Sequence, residues 1–457
     1  MSATSIDATD ATTALPNEGV GSKQSNLRYA WFVAGMLSLA YLLSLVDRYI
    51  LGVTLEAVKA DLHLNDTQLG ILQGPSFVFL YVAASIPLGW LVDITNRRII
   101  IAAGLTIWSI ATAACGFADT YAHILTARLT VGLGEAALLP SAMSLLASYF
   151  TRDKLNRAIS IYSMGGSFGR ATAFIGGGIL LAWFTAKGTV LIGGLVFEPW
   201  QAVFLTAGLA GLVFTVVFLL TVREPARSGT TAKRVRFVDG WAFFWRHRWA
   251  YLSVIMPFTM IAGIGALLAS WAMSFYLRAH GIPVAVASTF IGITGLIAGT
   301  IGNLAGGWLA DFAQARGVKG VQPLVLGILL LVIALFAGPY ALATSSTVSL
   351  VCYGAAYFAM CIGGPIGHGG VQLPTPERFR GSLASICLVI TSALGTALLP
   401  LSVGLFTDYI FEDARQLGLA IFTTILLSAI VGLPFAIFGR RKYIELVARN
   451  EQAHPPI

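Results

Sequence analysis

Charge is scarce in this 457-residue chain: Asp, Glu, Lys and Arg together make up 11% of it, against 56% hydrophobic residues and a mean hydropathy of +0.79. So little charge cannot cover a water-soluble globule of this size, which excludes an ordinary cytosolic enzyme. Cysteine is nearly absent. The four present, Cys115, Cys352, Cys361 and Cys387, lie in apolar runs without Cys-x-x-Cys spacing, so neither a disulfide framework nor a structural zinc site is indicated. The glycines have no triplet period, charged heptads are missing and the apolar fraction is high, which excludes collagen, coiled coil and intrinsic disorder. A phosphate-binding loop is missing too: Gly165-Gly166-Ser167-Phe168-Gly169 follows no strand and lies within an apolar run. With no metal-ligand spacing and no Ser-His pair inside these runs, neither an enzyme nor a cofactor is expected.

What the chain does have is apolar runs of about 20 residues, the length a helix needs to cross a hydrocarbon core. Twelve are expected, beginning near Tyr29, Gln68, Ile99, Ala122, Leu155, Trp200, Trp249, Val284, Val321, Thr347, Phe379 and Arg415. They are continuous rather than alternating, so helices rather than a membrane barrel are implied. Residues 1–28 are polar and read as a disordered tail without the layout of a signal peptide. Of the 29 Lys and Arg, 22 fall on the side of the termini and alternate loops, three within spans, and only Lys59, Lys187, Arg278 and Arg415 on the other side. Both termini are therefore expected in the cytoplasm. This asymmetry explains the net charge of +8, leaving no separate case for nucleic-acid binding.

Gly89-Trp90-Leu91-Val92-Asp93, between the second and third runs, returns 218 residues later as Gly307-Trp308-Leu309-Ala310-Asp311. Six runs separate the copies. The longest and most basic loop, 223–248, falls midway with seven Lys and Arg, as a cytoplasmic linker between two six-helix bundles, 29–222 and 249–439, would; residues 440–457 form a second tail. An aspartate at the cytoplasmic end of one helix can interact with the N-terminus of another entering from the same side, so Asp93 is expected to latch the start of span 11 and Asp311 the start of span 5.

An ionisable side chain inside a span costs a few kcal/mol and is a functional candidate by default. Five qualify, all in the first half: Asp47 and Arg48 in span 1, Arg128 and Glu135 in span 4, Arg170 in span 5. The second half offers only His368, expected to be satisfied by backbone. The expected pairings are Asp47 with Arg128 and Glu135 with Arg170; Arg48 left over gives a net positive cluster that needs an anionic partner, with Asp47 or Glu135 as proton carrier. Gln73, Tyr353, Tyr357 and Met360 are candidates for the cavity lining, and the glycines of span 8 read as a packing stripe.

The repeated Gly-x-Leu-x-Asp loop, with Arg97 and Arg98 behind its first copy, resembles the gating motif of the major facilitator superfamily. Val46-Asp47-Arg48-Tyr49, Gly70-Ile71-Leu72-Gln73 and Arg128-Leu129-Thr130-Val131-Gly132-Leu133-Gly134-Glu135-Ala136 look like its Spinster branch. The resemblance covers about residues 30 to 170 well and is generic beyond. It implies an all-α fold of 12 transmembrane helices in two pseudo-symmetric bundles, working by alternating access as a monomer in a cell membrane. The implied cargo is a lysolipid or phosphorylated sphingoid base, with proton coupling, carried by Asp47, Arg48, Arg128 and Glu135. The alternative left open is a proton-coupled carrier of small organic anions or drugs.

Overall fold

The apolar runs fold as helices because nothing else satisfies their backbone in hydrocarbon, and polar residues at their ends set where each begins. Asn96, Thr120 and Ser345 each accept a backbone N–H three residues on, from Ile99, His123 and Val348. A computed structural model describes residues 27–192, 194–225 and 237–453; the side chain of Asp93 lies outside the described residues, as do residues 1–26 of the tail expected over 1–28, while Leu27 and Arg28 already belong to the first helix.

Among the described residues, eleven helices are long and apolar enough to cross a membrane. Span 1 is Leu27–Asp61, span 3 Arg97–Cys115, span 4 Tyr121–Tyr149, span 5 Arg152–Lys187, span 6 Pro199–Thr221, span 7 Arg248–His280, span 8 Val284–Ala315, span 9 Val321–Leu342, span 10 Ser346–Gln372, span 11 Arg380–Ile410 and span 12 Leu417–Ala453. The remaining expected crossing, span 2, is broken at Gly74 into Asp66–Gln73 and Pro75–Ile94. Proline has no N–H and sits at the first position of the second piece, which restarts the helix there. Span 4 is interrupted after Glu135, and span 11 widens to π-helical turns over Thr391–Ala397 and Phe406–Ile410. The stretch read as a linker contains a helix, Phe237–Arg246, and span 12 runs on through the stretch read as a tail. A short antiparallel pair, Val190–Ile192 with Leu195–Phe197, joins spans 5 and 6.

The two halves meet on the face away from the termini, hereafter the far face. There glycines allow backbone to touch backbone: a Cβ on Gly52 would lie 2.8 Å from the Ala269 carbonyl and one on Gly70 3.0 Å from Leu401 Cα, while Gly74 has no room against the Ala397 carbonyl nor Gly404 against that of Asp66. Span 5 closes on span 8 where Gly178 meets Ser288. On the terminal face the corresponding glycines are idle. A Cβ on Gly89, Gly307 or Gly381 would meet nothing within 4 Å. Among the described residues, the glycine contacts that seal one half against the other therefore lie on the far face.

Candidate functional site

Span 1 carries Ser44, Asp47 and Arg48 on adjoining turns, and the break in span 4 places Glu135 at the end of its first helix, facing them. Glu135 Oε2 accepts from Ser44 Oγ at 2.8 Å and from Arg48 Nη2 at 2.6 Å, while its Oε1 is buried without a hydrogen-bond partner. The Arg48 side chain is 28% exposed and its guanidinium lies over the rings of Phe77, 4.1 Å from the centroid, and Tyr81, at 5.5 Å. An accessible guanidinium held by one carboxylate oxygen can exchange that oxygen for a ligand's.

Arg128 behaves differently. It is 1% exposed and donates to the backbone carbonyls of Asp47 at 2.9 Å and Arg48 at 3.2 Å, so it ties span 4 to the main chain of span 1 rather than to the Asp47 carboxylate. The carboxylate itself is buried, with Oδ2 unpartnered, and the neighbouring polar atoms Trp108 Nε1 and Thr112 Oγ1 on span 3 are unpartnered as well. The expected partner of Glu135, Arg170, is also elsewhere: it donates to the hydroxyl of Tyr357 in the other half and lies 5.4 Å from the Tyr49 ring centroid. Both expected pairings are thus replaced. Arg48 is nearer to Glu135 than Arg170 is, and main-chain carbonyls compete successfully for Arg128.

Of the candidate lining, Tyr353 is fully buried in an aromatic cluster, with ring centroids 5.6 Å from Tyr340 and 6.1 Å from Tyr276. Gln73 belongs to the far seal, donating to the Ser270 carbonyl at 3.2 Å, and Met360 is half-buried beside Gly265. His368 Nδ1 is satisfied by the Gly364 carbonyl at 2.9 Å.

Around the gating motif, Arg97 is buried and reaches Glu224 Oε1 at 2.7 Å and Ser148 Oγ at 2.6 Å, while Arg98 donates its backbone N–H to Glu224 Oε2 at 3.0 Å and its side chain to the Leu219 carbonyl. These contacts bind the loop to the end of span 6 within one half. Asp311 is exposed. Glu224 escaped sequence reasoning because it stands in the stretch read as a linker.

A second charged constellation lies on the far face and was not anticipated. Arg278 of span 7 donates to Glu56 Oε1 and Oε2 at 2.8 to 3.1 Å and to Asp66 Oδ1 and Oδ2 at 2.8 and 2.7 Å, and Lys59 Nζ reaches Asp66 Oδ1 at 2.5 Å. Asp408 of span 11 accepts the backbone N–H of Asp66 at 3.2 Å and of Thr67 at 2.6 Å. The buried Asp66 carboxylate thus has both oxygens engaged by cationic partners. The signal was available: Lys59 and Arg278 are two of the four basic residues on the basic-poor side.

Polar contacts between two bundles, gathered toward one face, are what a rocking two-bundle carrier requires. Comparison with known families matches residues 37–400 to the Major Facilitator Superfamily. The chain belongs to this superfamily. A crystal structure of a bacterial homologue of the human lysosomal transporter Spinster, inward-facing and occupied, superposes with a TM-score of 0.75 at 25% identity, over 92% of this chain and 97% of that one. An MFS-type efflux pump of Mycolicibacterium smegmatis is 25% identical over 89% of this chain and 91% of its own. A probable galactarate/D-glucarate transporter of Bacillus subtilis, GudP, is 26% identical over 67% and 71% respectively. The protein is a multi-pass, Spinster-like member of a transporter superfamily, related also to efflux and sugar-acid carriers.

Proposed function

We propose that the protein is a proton-coupled secondary transporter, a carrier and not an enzyme, that works as a monomer by alternating access on an amphiphilic anionic or zwitterionic lipid such as a lysolipid or a phosphorylated sphingoid base. The observation that carries this reading is the accessible Arg48 guanidinium, held by a single oxygen of a buried Glu135 whose other oxygen is vacant. A proton on Glu135 cancels its charge and weakens its hold on Arg48, which then takes an anionic head group; loss of the proton restores the internal pair and expels the head group. Asp47, buried one residue away, is the second candidate for the proton.

Against this charged wall, the opposite half carries no acidic or basic residue deep in a span. An amphiphile satisfies both walls, whereas a small polar anion leaves the apolar one unmatched. With both termini cytoplasmic, the far seal lies on the opposite, non-cytoplasmic side. The similarity to a probable galactarate/D-glucarate transporter favours a second reading, a small organic acid as cargo. Replacing Glu135 by Gln tests the coupling: glutamine mimics the protonated state, so ligand binding should persist while transport loses its response to a proton gradient. If that variant and Asp47→Asn both respond to the gradient as the parent does, neither group carries the proton.

A further inference from the structure

Of the ionisable groups inside the first half, Arg48 is ion-paired with one oxygen of Glu135 and Arg128 is held by main-chain carbonyls, although the Nε of each is buried without a partner. Arg170 differs in its acceptor rather than in its Nε. Among the described residues no carboxylate forms an ion pair with it; its hydrogen-bond acceptor is the neutral hydroxyl of Tyr357, and its Nε is buried with no partner. Two carboxylates, Asp47 and Glu135, stand against three guanidiniums, Arg48, Arg128 and Arg170, so one positive charge inside the membrane lacks a counter-ion.

The place of this contact matters as much as its charge. Arg170 is on span 5 and Tyr357 on span 10, so the hydrogen bond crosses from one half to the other. Arg170 lies eight residues, about 12 Å of helix rise, from Gly178, where span 5 closes against Ser288. The contact therefore ties the halves together on the inner side of the Gly178–Ser288 closure and has to break before the far face opens. Beside it, span 8 contributes Gly295, where a Cβ would stand 3.7 Å from the Tyr357 hydroxyl and 3.8 Å from Arg170 Cδ. Glycine leaves room there for an atom of a ligand. A carboxylate or phosphate is charged and matches the guanidinium fork with two oxygens, so it outcompetes a neutral phenol for the same donors.

We propose that Arg170 and Tyr357 form an interlock between the two halves that the anionic group of the substrate releases. The anion takes the guanidinium, Tyr357 loses its partner, and span 5 is freed from span 10. In the empty carrier the interlock holds the far face shut. This rests on the reading of the chain as a carrier of an anionic substrate, but not on that substrate being a lipid.

The test uses spin labels on Asp119→Cys and Ala414→Cys, exposed far-face positions of the two halves, in the full chain in lipid nanodiscs; the four native cysteines are buried. The probes are lysophosphatidic acid, the monoacylglycerol of equal chain length, and glucarate. Without ligand, Tyr357→Phe should raise the ratio of far-open to far-closed molecules about tenfold, the worth of one hydrogen bond to a charged group. Tyr340→Phe, which removes a buried hydroxyl that has no hydrogen-bond partner, should leave the ratio at the parent value. An anion should raise the ratio in the parent and not in Arg170→Gln; should that variant not fold, Arg170→Lys should show a reduced response, since lysine keeps the charge but lacks the fork. An unchanged ratio in Tyr357→Phe, an Arg170→Gln variant that responds like the parent, or a parent response to monoacylglycerol equal to that to lysophosphatidic acid would overturn the interlock. A parent that responds to glucarate alone upholds the interlock and refutes the lipid reading.

Discussion

Arg278→Met should unseal the far face. In the native chain the Arg278 guanidinium bridges Glu56 and Asp66, both of the opposite half, with contacts of 2.7 to 3.1 Å. The side chains of Arg278, Glu56 and Asp66 are 12%, 28% and 0% exposed, so the network is neither a surface pair worth a few tenths of a kcal/mol nor fully desolvated. Breaking a fully buried pair costs about 3–5 kcal/mol; partial exposure and the remaining Lys59 partner of Asp66 bring the expectation to about 2–3 kcal/mol. Because these contacts exist only while the far face is shut, that loss falls on one conformation alone. It corresponds to a shift of about 30- to 150-fold toward far-open molecules. Distances between labels on Asp119→Cys and Ala414→Cys measure the shift directly. Asp61→Asn is the control, since Asp61 Oδ2 accepts from Trp200 Nε1 at 3.0 Å within one half. A correctly folded Arg278→Met variant with the parent's distance distribution would refute the reasoning.

Glycine substitutions on the two faces should act with opposite signs: Gly74→Ala, which has no room against the Ala397 carbonyl of the other half, should favour the far-open form, and Gly89→Ala, with nothing within 4 Å, should favour the present one, both read by the same labels. The far latch should be insensitive to pH over the physiological range. Both oxygens of Asp66 are engaged by the cations Arg278 and Lys59, which keep their charge over that range, and Glu56 and Asp408 are the other charged groups that face it. Label distances that shift between pH 8 and pH 5 in a Glu135→Gln, Asp47→Asn background would show that another group controls the latch.

Segment composition made the helical architecture legible, because no backbone group can go unpaired in hydrocarbon and each crossing must announce itself as an apolar run. The break in span 2 was hidden for the same reason: Gly74-Pro75 lies inside such a run, and only packing against Ala397 explains a glycine there. The charged residues were legible singly, since each of Asp47, Arg48, Arg128, Glu135 and Arg170 violates the composition around it. Their pairing was not. Helical spacing fixes which residues share a face of one helix but says nothing of how that helix is rotated against its neighbours, so Glu135 was assigned to Arg170 when Arg48 of span 1 faces it at 2.6 Å. Nor does spacing reveal that a guanidinium as buried as Arg128 spends its donors on main-chain carbonyls. The far latch was obscured by topology counting, which treats Lys59 and Arg278 as a small residue of positive charge on the wrong side rather than as two members of one network.

The central claim, an anionic amphiphile carried between a charged wall and an apolar one, is tested most directly by counterflow in proteoliposomes with phosphate-headed single-chain lipids of increasing length, with glucarate as competitor. Each added CH₂ buried against the apolar half contributes about 0.8 kcal/mol, so apparent affinity should rise about fourfold per methylene until the cavity is filled, and glucarate should compete poorly. Counterflow that is independent of chain length, or that glucarate abolishes, would contradict the account and establish the small-acid reading in its place.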